Sequence, residues 1–449
     1  RLHQHGSAIK IWGTHGGVRH RSPLVTRFRL RLMALLTGAI SGAAVALTMG
    51  VIAWLTRMLW GDPVEEGLER QIPLLWSMGV CGGVGVALAL LHRRGPATLL
   101  PELPETIQEL RHPETAPRRR DGHVILGASL SLVGGGSVGP EALMTRLATL
   151  ISQRIWKGRD QDLQLATVAG SLGMFGLPLL GGAVVHDGTP KSSAGGSGQR
   201  SLIDRWIPGS LGGIAGFAAF HGMEEVSGGS LRQLPYSWPS NLGEDLGSLS
   251  AGLLAGVAGW GLGWLLLHWR TWLEQRQLLA HWPWWPVVTG LLLGVWMHWL
   301  PLVPFAGEDQ LKPLLEGMNT SEAVVLILSG LIKLGMLGLC LETGWRGGIF
   351  FPVFLIACAV GSGLHELSPG IGSLGSWCGG VTGALYATVL RSPLVALLLG
   401  LALLQGHGAT AVLLGVAVAW LITHRSPQDG GPPPLPETPG SRGYQQPPA

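Results

Sequence analysis

Several apolar runs of this chain break at glycine and proline, well short of the length that crosses a bilayer. The sharpest break is Gly134-Gly135-Gly136-Ser137-Val138-Gly139-Pro140-Glu141-Ala142, which separates an apolar run at 123–133 from another at 143–155. A spanning helix needs roughly 20 apolar residues, so neither run crosses comfortably alone. Glycines, then a proline, then helix formers predict an interrupted chain and a fresh helix with Pro140 in its first turn. In lipid, such irregular backbone survives only where it is buried in protein or lines a cavity. The first amides of the new helix lack internal partners and carry the positive end of its dipole. Glycine lets an ion reach that bare backbone. A helix that starts at mid-membrane is therefore a candidate anion site. The plainer reading is a tight turn between two packed helices.

The surroundings favour a membrane setting. Of 449 residues, 47% are hydrophobic and 13% charged, a balance typical of chains with many spans. The abundant glycine suits close helix packing in lipid, with Gly38-Ala39-Ile40-Ser41-Gly42 as one interface candidate. Tryptophans flank apolar runs, as in His281-Trp282-Pro283-Trp284-Trp285-Pro286, and suit the membrane–water boundary. The formal charge of +4 is small; it reflects basic cytoplasmic loops rather than nucleic-acid binding. Cys81, Cys340, Cys358 and Cys378 lie in apolar segments and read as reduced, buried side chains. No cofactor or metal cluster is expected. The one GxSG string, Gly195-Gly196-Ser197-Gly198, sits in a polar loop that cannot preorganise an oxyanion site, so the chain is not read as an enzyme.

The fold class expected is an all-α polytopic membrane protein. Residues 1–27 form a basic arm, 28–424 the membrane domain, and 425–449 a Pro/Gly-rich tail expected to be disordered. Within the membrane domain, 28–224 and 245–424 echo each other. Each half has long spans, a short polar segment, a Gly-rich helix start and a proline break. The second helix start is Gly344-Trp345-Arg346-Gly347-Gly348-Ile349-Phe350-Phe351-Pro352, and the breaks are Gly176-Leu177-Pro178 and Arg391-Ser392-Pro393. Broken helices at matching places in two halves point to a midplane transport site. Basic, acidic and basic loops in turn place the N-terminus and Arg93 inside.

Two motifs resemble the CLC family of chloride channels and proton/chloride antiporters. Gly136-Ser137-Val138-Gly139-Pro140 is similar to its GxEGP helix start except at the glutamate, and Gly348-Ile349-Phe350-Phe351-Pro352 is similar to its GxFxP start. The resemblance covers roughly residues 28–424. It implies a CLC-type fold of two inverted repeats of short, tilted, broken helices. It also implies a homodimer with one pore per subunit; the few charges, with no paired regulatory domains in the short tail, point to a bacterial inner membrane. Chloride or another small anion would be held by amides near Ser137, Val138, Gly139, Ile349, Phe350 and Phe351. Neutral amide donors suit this task because they bind an anion and also release it.

The departures bear on mechanism. The family's gating glutamate falls at Val138, which neither competes with chloride nor carries a proton. The expectation is passive, channel-like anion flow. The internal proton glutamate falls near Gly188, one residue after Asp187. The family's central serine falls around residues 95–101, where one register offers Thr98 and another Pro96. The pore tyrosine has no match, since the only tyrosine after Tyr386 is Tyr444. Glu141, one turn beyond Val138, is either a displaced gate or a carboxylate steadied by the helix start. With Asp187 it forms the alternative, a proton-coupled antiporter. A further alternative is a non-conducting membrane scaffold. Lys333, inside an apolar span, is open between snorkelling and pairing with a carboxylate such as Glu342.

Overall fold

A computed structural model describes residues 23–61, 72–95, 99–102, 105–106, 109, 119–156, 161–175, 202–226, 246–316 and 323–424. These residues fold into helices and turns. The first half comprises α1 (Pro23–Trp60), α2 (Leu74–His92), α3 (Asp121–Val133), α4 (Glu141–Trp156), α5 (Gln161–Ser171) and α6 (Leu202–Val226). The second comprises α7 (Leu246–Gln275), α8 (Trp285–Trp299), α9 (Leu311–Glu316), α10 (Ala323–Glu342), α11 (Phe350–Leu367), α12 (Leu374–Leu390), α13 (Pro393–Leu403) and α14 (Ala409–His424).

The halves repeat one design. In the first, α1 packs with α5 and α6; in the second, α7 packs with α12 and α14. Both bundles are drawn together by glycine. A Cβ on Gly170 would lie 2.5 Å from the Gly38 carbonyl oxygen, and one on Gly42 or Gly216 would strike backbone on a facing helix. The small-residue stripe at Gly38–Gly42 is thus a contact surface. Its counterpart joins Gly252, Gly380 and Gly415, where a Cβ on Gly380 would lie 2.6 Å from the Gly252 carbonyl oxygen. Lipid offers no hydrophobic drive between helices, so this backbone proximity and the dispersion it permits hold the bundles. The equivalent helices α2 and α8 run antiparallel side by side. Ser77 Oγ donates to Gly294 O at 2.8 Å near one end, and His298 Nδ1 to Ile72 O at 2.8 Å beyond it. An inverted repeat requires that opposition.

Among the described residues, five helices are long and apolar enough to cross a membrane, including Phe28–Trp60, Leu74–His92 and Ala323–Glu342. Large apolar side chains such as Leu47, Trp54 and Leu75 stay exposed on their outer faces, as lipid-facing surfaces do. The sequence marked α11 only as a helix start; Phe350–Leu367 is itself 18 residues and sits deeply buried. The break at Arg391 is made by a left-handed residue (φ 53°), after which Ser392 Oγ accepts from Val395 N and opens α13. The break at Gly176-Leu177-Pro178 lies outside the described residues.

Gly216→Leu should cost about 3 kcal/mol or more, because the new side chain must displace backbone. Gly79→Ala, with nothing within 4 Å of the added methyl, should fold like the parent. Yield of monodisperse protein in detergent and its melting temperature distinguish the two.

Candidate functional site

The two glycine-rich helix starts meet. Gly139 N donates to Gly348 O at 2.7 Å, and Gly348 N donates to Gly139 O at 2.5 Å. Each glycine stands two residues before its helix, α4 and α11, so the pair sits at matching positions of the repeat. The approach to this bridge is built differently on each side. On the first, α3 ends in a Schellman turn: Gly135 is left-handed (φ 86°), Gly136 N donates to Ser131 O at 2.8 Å, and Gly135 N donates to Leu132 O at 3.4 Å. Trp60 Nε1 caps the Val133 carbonyl at 2.7 Å. On the second, Gly344 is left-handed (φ 93°), its carbonyl accepts from His92 Nε2 at 2.9 Å, and the buried Trp345 donates to Pro286 O at 2.8 Å.

Glu141 crosses from one half to the other. Its Oε1 accepts from Phe351 N at 2.8 Å, so a carboxylate of α4 caps the first turn of α11. Both bridge glycines are needed for this: a Cβ on Gly139 or Gly348 would collide with the Glu141 carboxyl. The other oxygen, Oε2, is buried with no hydrogen-bond partner. Ser137 Oγ is likewise buried and unpartnered. Tyr386, wholly buried on α12, donates to Phe350 O at 2.7 Å and props the same tip. A carboxyl group therefore already occupies the positive end of α11, where an incoming anion would also be attracted.

Residues 83–424 match the family model for voltage gated chloride channels. The chain belongs to the CLC family. Among curated relatives, the provisionally named ion-transport protein YfeO of Shigella flexneri is 26% identical over 360 residues, covering 77% of this chain and 81% of that protein. YfeO of Escherichia coli O1:K1 is 26% identical over 358 residues with the same coverage. Among solved structures, a slow cyanobacterial Cl−/H+ antiporter superposes with TM-score 0.67 at 20% identity, covering 88% of this chain and 94% of that one. A CLC-type fluoride/proton antiporter gives 0.64 at 16%, covering 90% and 97%. A eukaryotic CLC transporter gives 0.60 at 18%, covering 89% and 72%. These structures share the CLC fold, and the chain is an integral membrane protein.

Within this CLC chain, the structure gathers Ser137, Val138, Gly139, Glu141, Ile349, Phe350 and Phe351 around the bridge. Their amides are not all free: Val138 N donates to Gly136 O at 2.8 Å, Gly139 N serves the bridge and Phe351 N serves Glu141. Val138 is completely buried. Thr98 and Asp187 lie outside the described residues. Nothing in the sequence marks Tyr386, because no motif signals a tyrosine that touches backbone from another helix. Lys333 neither snorkels nor pairs with Glu342, which instead meets Arg270 at 3.3 Å.

Arg270 links Glu342 to Glu102, whose Oε1 is 2.5 Å away. This knot ties the loop after α2 to the ends of α7 and α10, on the face where Arg93 and Arg94 also lie. Burial alone would raise the Glu102 carboxyl; the Arg270 guanidinium outweighs it and holds that carboxyl below its ordinary value. A depressed carboxylate stabilises the fold above its unfolded value and loses that contribution as pH falls through the folded one. Arg270→Met should therefore cost on the order of 2 kcal/mol at neutral pH, discounted for partial exposure. The gap in melting temperature from the parent should narrow on acidification. A gap that is constant with pH would exclude the ion pair as its cause.

Proposed function

We propose that this protein moves small anions, chloride foremost, across a bacterial inner membrane, and that Glu141 is its gate. The observation that carries this reading is the Glu141 carboxylate on the tip of α11. It stands where a transported anion would be drawn, so ion and carboxylate exclude each other. Neutralising Glu141 by a proton removes its attraction to the helix tip and frees Phe351 N. The freed Phe351 amide and the unpartnered Ser137 Oγ then offer neutral donors to a dehydrated ion. Acid therefore opens the path. The gate is displaced by one helical turn from Val138, and the assembly is a homodimer with one path per subunit.

Proton coupling is a separate matter from gating. Coupled exchange needs a second acceptor toward the cytoplasm, a role for Asp187. Passive flow needs none, and the buried, uncharged Val138 favours it as a second reading.

Purified protein in liposomes tests both. Chloride efflux from the parent should rise as pH falls, whereas Glu141→Gln should be fast and nearly flat with pH, a difference of about tenfold at neutral pH, or 1.4 kcal/mol. An unchanged pH response in Glu141→Gln would retire the gate. Uphill proton movement driven by a chloride gradient would select coupled exchange over passive flow. A parent that passes no anion at all would leave a membrane scaffold.

A further inference from the structure

A second buried ionisable group lies on α10. Lys333 sits midway along α10 with 1% exposure. Its Nζ donates to four successive carbonyls: Leu302 O at 3.1 Å, Val303 O at 3.0 Å, Pro304 O at 3.1 Å and Phe305 O at 2.8 Å. An ammonium has three N–H groups, so four oxygens share them, in the manner of ligands around a metal cation. Four consecutive carbonyls point inward only if the chain curls tightly. Phe305 accordingly adopts a left-handed conformation (φ 61°), which a bulky side chain rarely takes. Such strain persists only when the surroundings over-determine it. The far side of the same turn supports the first helix start. Phe305 N donates to Gly135 O at 3.1 Å, and its ring packs edge-on against Trp60 at 5.8 Å.

We propose that Lys333 is a built-in cation whose carbonyl cage fixes the turn at 302–305 and, through Phe305, holds the glycine turn that leads to the bridge. It is a positioning residue: its hydrogen bonds run to the 302–305 turn, and it acts through that turn. Without the ammonium, four carbonyl dipoles converge on nothing, in an interior where unsatisfied polar groups are costly. The turn then opens, Phe305 releases Gly135, and the Schellman end of α3 loses its outer support. The cage stands whatever the chain transports; only the effect on flux rests on the anion-transport reading.

The emptied cage should accept a small free cation, which separates this role from simple packing. Purified Lys333→Ala should melt below the parent. Potassium or methylammonium should raise its melting temperature saturably, and choline, too large to enter, should not. The parent should respond to none of them. Lys333→Met, which keeps the volume and loses the charge, should be destabilised and unresponsive because its side chain fills the cage. In liposomes, Lys333→Ala should lose about tenfold in chloride flux, in the range of ordinary coupling energies, and recover part of it with methylammonium. A Lys333→Met variant as stable as the parent would overturn the proposal, as would a Lys333→Ala variant whose loss no small cation relieves. Should neither variant fold, the parent decides through Nζ-labelled lysine NMR. A caged ammonium keeps its protons against exchange, and prompt exchange overturns the cage. Thermal rescue in a protein that passes no anion would uphold the cage and refute the transport reading.

Discussion

The backbone groups of Gly139 and Gly348 satisfy one another, and the fold is arranged to let them. A broken helix in a membrane leaves peptide groups with no water to bind, each costing several kcal/mol if left unpaired. Two breaks placed at equivalent points of two inverted halves cancel part of that cost, because each supplies what the other lacks. The exchange demands contact at backbone distance, so side chains are excluded at the join. It also demands that α2 and α8 lie close enough for Ser77 to reach Gly294. The glycine-packed bundles on either side serve the same end: they let short helices stand firmly enough to present two helix tips to one point.

From that join the polar chemistry follows. The bridge consumes one donor and one acceptor from each glycine, yet the first turn of α11 still needs partners. Its preceding residue, Ile349, has no side chain that can cap. Glu141 supplies the cap from the opposite half. This makes the carboxylate both a structural part and an obstacle, since its removal exposes an electropositive tip in a dehydrated place. A group that caps this tip, and that under the proposed function would compete with the ion for the same amide, has the properties a gate requires.

Much of this was legible in the sequence, for physical reasons. Broken apolar runs in a low-charge chain leave either a tight turn or a buried helix start, and two such breaks at matching places in echoing halves favour helix starts that face each other across an inverted repeat. The α4 and α11 starts, the Gly38–Gly42 contact and the Arg391–Pro393 break were readable because glycine, proline and N-cap serine act locally. The partners of Lys333 and Tyr386 were not readable. Both bind carbonyls, and every residue has a carbonyl, so nothing in the sequence marks residues 302–305 as ligands or Phe350 as an acceptor. The arrangement of Glu141 was half readable: its spacing from Val138 put it near the site, but only the folded chain shows that it caps the other half's helix.

That crossing also bears on how one residue difference changes a mechanism. A carboxylate at position 138 would belong to the turn before α4, ahead of the bridge. A carboxylate at 141 springs from α4 itself and reaches over the bridge to α11, filling the space above two glycines. Releasing it removes the side-chain link between the two half-helix tips, leaving the pair of backbone bonds between Gly139 and Gly348. On the proposed reading, an anion that replaces Glu141 would have to restore that link with its own charge. On that same reading, occupancy of the site and cohesion of the two halves would be one equilibrium, and any ion too small or too large to span the tips would leave the join weaker than the carboxylate it displaced.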